Sequence, residues 1–450
     1  LTIVVVNCGA PGKLGTDLDL NPGEVKSVCE IRSVTGSDLF DQYFSIQVAG
    51  YMWSSEFCFK DIYANAIKAI SKDTSPTPNY EMELPLADIN GYTTNFYLHI
   101  TQPYVNSIKM AIYPKCRIVN QTGLNLWYRQ SSKSKVMQDL QSSNKFSGDP
   151  RNWYMVSSLS ATDIQKMYYS GDQIAIKVFD TDWSSSISVI NKDTSNPDQT
   201  LEQQVSLNES HRQFCFNVKI TSAPSQFWRT REIRITPRYM LCNKTDKLIN
   251  YKQSLVDTTF ELHPDDQIPL HWPNLKKELL LQICPAKSGL AFSNTFKVDC
   301  AAGEHFILKL RNEKVPEQYE PIAVNFTESN GTIYVVFRND KNSLVPTVRF
   351  QNALKYKVAV QQKGCAHFDI IPPNRTEPFY YDKHAGGKDL VLSLLGNNVD
   401  TTTTITIPPS GSKTLIWNTK TAKFRIVLQN NGFTRFFKIS TDSVDAIYQP

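Results

Sequence analysis

Residues 117–130 read RIVNQTGLNLWYRQ: an apolar run ending on Asn120, a polar turn, then a second apolar run ending on Gln130. The same plan returns in MLCNKTDKLINYKQ (240–253) and in VRFQNALKYKVAVQQ (348–362). Asn120 and Gln130, Asn243 and Gln253, and Asn352 and Gln362 are each ten positions apart. IVVVNCG supplies a further Asn, Asn7, and the four asparagines are spaced by 113, 123 and 109 residues. Spacing of this kind marks an internal repeat, and the repeat governs every other reading of the chain. Pro114, Pro237 and Pro346 each stand six residues ahead of an Asn; Leu1 holds that offset before Asn7.

Two further landmarks recur between the asparagines. One is an alternating strand, a polar turn and another strand: FSIQVAGYMWSSEFCF (44–59), IAIKVFDTDWSSSISV (174–189), LLLQICPAKSGLAFSNTFKV (279–298) and LVLSLLGNNVDTTTTITI (390–407). Trp53-Ser54-Ser55 and Trp183-Ser184-Ser185 match directly, and the two tryptophans read as core residues. The other landmark is a strand: FYLHI (96–100), FCFNVKI (214–220), HFILKL (305–310) and KFRIVL (423–428). All of these alternate with period two and are rich in β-branched and aromatic residues, with Pro, Asn, Asp, Ser and Gly between them. Helical pattern is scarce; 157–170 is the best candidate. The expectation is an all-β protein of four tandem β-sandwich-like repeats, arranged as a stiff or curved rod because no Gly/Ser linker separates them. The repeats are placed at 1–104, 105–226, 227–329 and 330–420.

An Asn suits the end of a strand because its amide both donates and accepts, and it can bond its own backbone two residues on. It also tolerates left-handed backbone. Asn7, Asn120, Asn243 and Asn352 are therefore read as structural, with support of a partner site open in some repeat.

Composition limits the function. The 450 residues carry 48 Lys+Arg against 43 Asp+Glu, a net charge of +5, with no basic block, so nucleic acid is not an expected partner. A phosphoinositide surface stays open on the mild positive charge alone. Nine cysteines, an odd number without a CxxC, read as reduced thiols. No apolar run is long enough for a transmembrane helix. The chain starts on Leu with no signal peptide ahead of it, and reads as an excised piece of a longer cytosolic chain. Seven histidines give no HExxH or zinc spacing; HPDDQIPLHW (263–272) is read as a strand and a polar turn. There is no GxSxG, GxGxxG or phosphate loop, so neither an enzyme nor a cofactor is expected. Six sequons, at Asn120, Asn208, Asn243, Asn325, Asn330 and Asn374, support the alternative of a secreted adhesion or carbohydrate-binding β-sandwich array.

Several stretches resemble a known family. REIRITPRYMLCNKTDKLINYKQ (231–253), IPLHWPNLKKELLLQI (268–283), GTIYVVFRND (331–340), FYYDKHAGGKDLVLSLLG (379–396) and RIVLQNNGFTRFFKIST (425–441) are similar to the adaptor-binding domain of the vacuolar protein sorting 13 family of bridge-like lipid-transfer proteins. The resemblance implies six β-repeats, each with a hallmark Asn, of which this chain holds the last four, with 421–450 beginning the segment that follows. It implies binding of Pro-x-Pro motifs in organelle adaptor proteins, with the site in the last two repeats, and a place in the cytosol at membrane contact sites. Prolines at i and i+2 of a strand lose donors on one edge only, so the other edge can pair with a receptor strand. Aromatic surface suits their rings. The last repeat offers Phe350, Tyr356, Phe368, Phe379, Tyr380 and Tyr381 beside Asn352.

Overall fold

The computed structural model describes residues 4–9, 16–20, 43–70, 79–87, 93–104, 107–130, 154–156, 167–169, 171–189, 200–209, 211–224, 227–286, 288–340, 344–346, 348–383, 387–395, 402–406, 412–418, 422–431 and 434–441. The protein is built almost entirely of strands, as its alternating pattern requires. It divides into two compact units, Leu1–Glu209 with Cys215–Pro237, and Ser210–Phe214 with Arg238–Pro450.

The fourth repeat shows the plan most fully. Its nine strands are Val348–Asn352, Lys357–Gln362, Phe368–Ile371, Arg375–Phe379, Leu390–Leu395, Thr402–Ile405, Lys413–Asn418, Lys423–Asn431 and Thr434–Thr441. A five-stranded sheet takes them in the order fourth, first, ninth, eighth, seventh; a second sheet takes the third, second, fifth and sixth. Both sheets feed one core, with Phe350, Phe379, Phe437 and Ile439 from the first and Val358, Val360, Leu390 and Leu392 from the second. This is a β-sandwich.

The same order recurs in the second repeat, from Cys116–Asn120 to Arg231–Pro237, and in the third, from Tyr239–Asn243 to Thr332–Arg338. In the third, the sixth strand shrinks to a single bridge between Leu281 and Phe296. In every case the closing strand runs parallel to the opening one, placing Asn120 beside Ile235, Asn243 beside Phe337 and Asn352 beside Ile439. The amide after each Asn donates to that partner: Gln121 to Ile235, Lys244 to Phe337 and Ala353 to Ile439, each at 2.8 Å.

This closure groups the strands differently from the spacing of the landmarks. Arg231–Pro237 and Thr332–Arg338, expected to open the third and fourth repeats, instead close the second and third. The tail from 421 supplies the last two strands of the fourth repeat. The prolines mark the ends of closing strands, at Pro114 and Pro237. HFILKL is a seventh strand, not an eighth; the eighth strand of that repeat is Tyr319–Ser329.

Register also moves Asn7. Ser54 N–H donates to Ile46 O as Ser184 N–H does to Ile176 O, so Ile46 and Ile176 are equivalent. Ile46 pairs with Val6 and Ile176 with Tyr128. Asn7 therefore stands where Arg129 does, inside a second strand, and Cys8 stands where Gln130 does. The Pro is absent before Asn7 because Asn7 is no strand-ending amide; its side chain lies outside the described residues. In the first repeat Ile46 and Val48 from one sheet pack on Leu84, Leu86 and Phe96 from the other.

One helix, α1 (Phe59–Ile70), escaped the sequence reading, although Asp61 in its first turn and Lys68 in its last suit the helix dipole. Its Ile62 packs with Leu98 and Ile100. The expected helix over 157–170 falls mostly outside the described residues, and Met167–Tyr169 is a strand. Among the described residues no helix is long and apolar enough to cross a membrane.

Burial against Phe214 holds the His271 imidazole down, at about 4 instead of 6.5. The unfolded chain takes up this proton below pH 6.5 and the folded one does not until about 4. Stability of the second unit should therefore fall with acid across that window, by up to about 1.4 kcal/mol per pH unit. His271→Leu should flatten this slope in denaturant titrations at pH 7, 6 and 5.

Candidate functional site

Three amide side chains are locked in the same way. Asn120, Asn243 and Asn352 are fully buried. Their Nδ2 groups donate to the carbonyl four residues on, Leu124, Lys247 and Tyr356, at 2.7–2.8 Å. Their Oδ1 atoms accept from the backbone N–H two residues on, Thr122, Thr245 and Leu354. Asn243 and Asn352 also reach across the sandwich to Leu262 O and Ile371 O at 2.9 and 3.0 Å. Thr122 and Thr245 add hydroxyl bonds to the same Oδ1, which Leu354 cannot.

The Gln ten residues on is a second lock. Gln253 Nε2 donates to Asn274 O and Glu278 O while its Oε1 accepts from Asn274 N–H. Gln362 does the same with Lys383 O, Gly387 O and Lys383 N–H. Each Gln thus holds the loop that leads into the fifth strand. The serine of the polar turn is a third lock: Ser54, Ser184 and Ser293 accept from Ile46, Ile176 and Ile283 N–H at 2.9–3.1 Å. It is this hydroxyl that recurs, not the tryptophan. Trp53 is exposed, and Trp183 lies under Arg129 and Lys177.

Between the third and fourth repeats, inside the second unit, lies a groove of about 290 Å³. His305, Phe306 and Ile307 form one wall; Val345, Val348, Tyr380 and Tyr381 form the other. Successive strand residues face opposite sides, so three in a row line a groove only through the strand's edge. His305–Arg311 is the end strand of its sheet, paired with Tyr319–Ser329 on one side. On its other side Arg311 O accepts from Ala291 N–H at 2.8 Å. Alternation turns the backbone groups of Ile307 and His305 to the same side as the Arg311 carbonyl, away from Tyr319–Ser329 and toward the groove that both residues line. Tyr380 Oη donates to Leu344 O and so fixes the 344–346 segment; burial pushes the Tyr381 phenol up to about 12.

A buried charge quartet joins the two repeats. Lys309 Nζ meets Asp369 at 2.5 Å, and Arg311 bridges Asp369 at 3.0 Å and Asp382 at 2.8 Å. Burial holds Lys309 below its ordinary range despite the carboxylates. Burial also acts to lower Arg311, but Asp382 and Asp369 more than reverse it. Lys309 sits 4.7–4.8 Å from the Phe379 and Tyr319 rings.

The candidate aromatics fall into three places. Phe350 and Phe379 are core residues, edge to face with one another, and Phe350 stacks on Phe437. Tyr356 and Phe368 lie elsewhere on the fourth repeat: Tyr356 packs on the core from outside and Phe368 opens the third strand. Tyr380 and Tyr381 line the groove. Asn120 and Asn243 carry two of the sequons, yet both are buried and bonded, so neither can accept a glycan in the folded state.

A profile for the Vacuolar-sorting associated protein 13, adaptor binding domain, matches residues 26–346. The chain belongs to this family. The match ends at Pro346; the fourth repeat beyond it has the same strand order and the same locked Asn and Gln. Among curated proteins it is similar to the intermembrane lipid transfer proteins of Dictyostelium discoideum. It is 26% identical to vps13D over 189 residues, 42% of this chain and 4% of that protein. It is 26% identical to tipC over 208 residues, 39% and 5%. It is 24% identical to vps13E over 345 residues, 66% and 8%. The chain thus spans less than a tenth of the length of these relatives. As an adaptor-binding domain it is a protein-recognition module.

Proposed function

We propose that this adaptor-binding domain captures Pro-x-Pro segments of adaptor proteins by adding them as a strand to the edge His305–Arg311. The whole protein, by the same reading, is a lipid-transfer chain in the cytosol, and this domain targets it to membrane contact sites. The observation that carries the reading is the groove itself: a sheet edge with its backbone groups turned outward, facing Val345, Tyr380 and Tyr381. Main-chain bonds to such an edge give affinity, and pockets for alternate side chains give specificity. Two prolines one residue apart keep one edge of the ligand strand intact for that pairing and set both rings on one face.

His305→Pro tests it. His305 is exposed and begins the strand, where Pro is tolerated, and its N–H points into the groove. The variant should fold as the parent does and lose about tenfold in affinity for a Pro-x-Pro peptide by calorimetric titration, about 1.4 kcal/mol. Unchanged affinity would remove this edge from the site.

A further inference from the structure

We infer that the groove selects Pro-x-Pro segments that carry acidic residues beside the prolines. The inference rests on the peptide reading above and adds the charge of the partner. Lys383, Lys388 and Arg435 line the groove together with His305, and among the described residues no carboxylate lines it. These side chains come from separate places: His305 from the start of the third repeat's edge strand, the lysines from the loop after Tyr381, and Arg435 from the closing strand of the fourth repeat. No stretch of sequence shows them as a cluster.

Of the nearby carboxylates, Glu304 beside His305 and Asp389 beside Lys388 are not among the groove's lining residues, and two others are buried and paired. Asp382, between Tyr381 and Lys383, is buried and bonded to Arg311; Asp369 is buried and shared by Lys309 and Arg311. The loop that carries Lys383 is held by its backbone, through Lys383 N–H to Gln362 Oε1 at 2.8 Å. Its ammonium is therefore presented at the rim from a fixed base. Charges so placed attract an acidic ligand, repel a basic one and act mainly on association rate. A lipid headgroup would use the cations alone. An acidic peptide uses all three features present: the outward edge amides, the apolar wall including Val345, which is 52% exposed, and the positive rim. The peptide is thus the favoured occupant.

The test uses the full 450-residue chain and three synthetic peptides with one Pro-x-Pro core, flanked by Glu, by Ser or by Lys. The Glu-flanked peptide should bind about tenfold tighter than the Ser-flanked one, and the Lys-flanked one weaker than both. The gain should shrink from low salt to about 0.5 M, where screening is within a few ångströms. Lys383 and Lys388 are exposed, so the Lys383→Glu, Lys388→Glu double variant should fold normally and reverse the order of the Glu- and Lys-flanked peptides. Equal binding of all three peptides would overturn the acidic preference while leaving Pro-x-Pro recognition standing. An order unchanged in the double variant would overturn it as well. Absence of binding by any of the three would remove the peptide reading itself. Vesicles containing phosphoinositide that bind through these lysines, without competition from the Glu-flanked peptide, would assign the rim to a membrane and overturn the inference.

Discussion

Asn352→Ala should destabilise the second compact unit by roughly 2–4 kcal/mol, the range for stranding buried backbone groups. The side chain is fully buried, and its Nδ2 serves Tyr356 O at 2.7 Å and Ile371 O at 3.0 Å while Oδ1 serves Leu354 N–H at 3.0 Å. Alanine leaves those three groups without their partner, two of them, Ile371 O and Leu354 N–H, in buried bonds. Tyr356 O lies in the turn and Ile371 O in the facing sheet, so the loss loosens both the turn and the sandwich. Asn352→Asp separates hydrogen bonding from size. Its carboxylate can still accept from Leu354 but would face two carbonyl oxygens with no proton to offer, so at pH 7 it should be at least as damaging as Ala. Urea titration of the three proteins measures this. An Ala variant within about 0.5 kcal/mol of the parent, the range of ordinary surface changes, would show that the lock is ornamental.

Much of this architecture was readable from the chain because local chemistry repeats with it. The strand-ending Asn, the alternation around it and the Gln ten residues on all report short-range geometry: a turn, a pleat, a loop tied back to a strand. What stayed hidden depends on partners far apart. The parallel closing strands pair Arg231–Pro237 with Cys116–Asn120 across more than a hundred residues, and nothing in REIRITP points backward to RIVN. Landmark spacing therefore cut the second and third repeats one strand early. Asn7 matched the motif in letters and missed it in register, and the missing Pro was the available signal. Among the aromatics, Phe350 and Phe379 lie within strands and face the core, whereas Tyr380 and Tyr381 follow a strand's end and reach the groove. The serine lock could have been found, since Ser54, Ser184 and Ser293 align while the tryptophan beside them does not persist.

Asp369→Ala should be the most damaging single change at the junction of the last two repeats, at about 3–5 kcal/mol, the range for breaking a buried ion pair from one side. Asp369 lies on Phe368–Ile371 of the fourth repeat, and its partners Lys309 and Arg311 lie on His305–Arg311 of the third. Arg311 keeps the two bonds to Asp382. Lys309 keeps only the more distant Asp382 charge and two aromatic faces, and its ammonium is wholly buried. Its affinity for a proton, already below the ordinary 10.5, should fall further. The sign follows: between the lowered folded value and 10.5 the unfolded chain holds more protons, so the variant should gain stability as pH rises through that window. Denaturant titration of parent and variant at pH 7 and 9.5 reads both effects, and the gap between them should narrow at the higher pH. Adding Lys309→Met should recover most of the loss, because the penalty lies in the stranded charge and not in the missing bond. A double variant no more stable than Asp369→Ala would mean that the quartet acts through its own attraction.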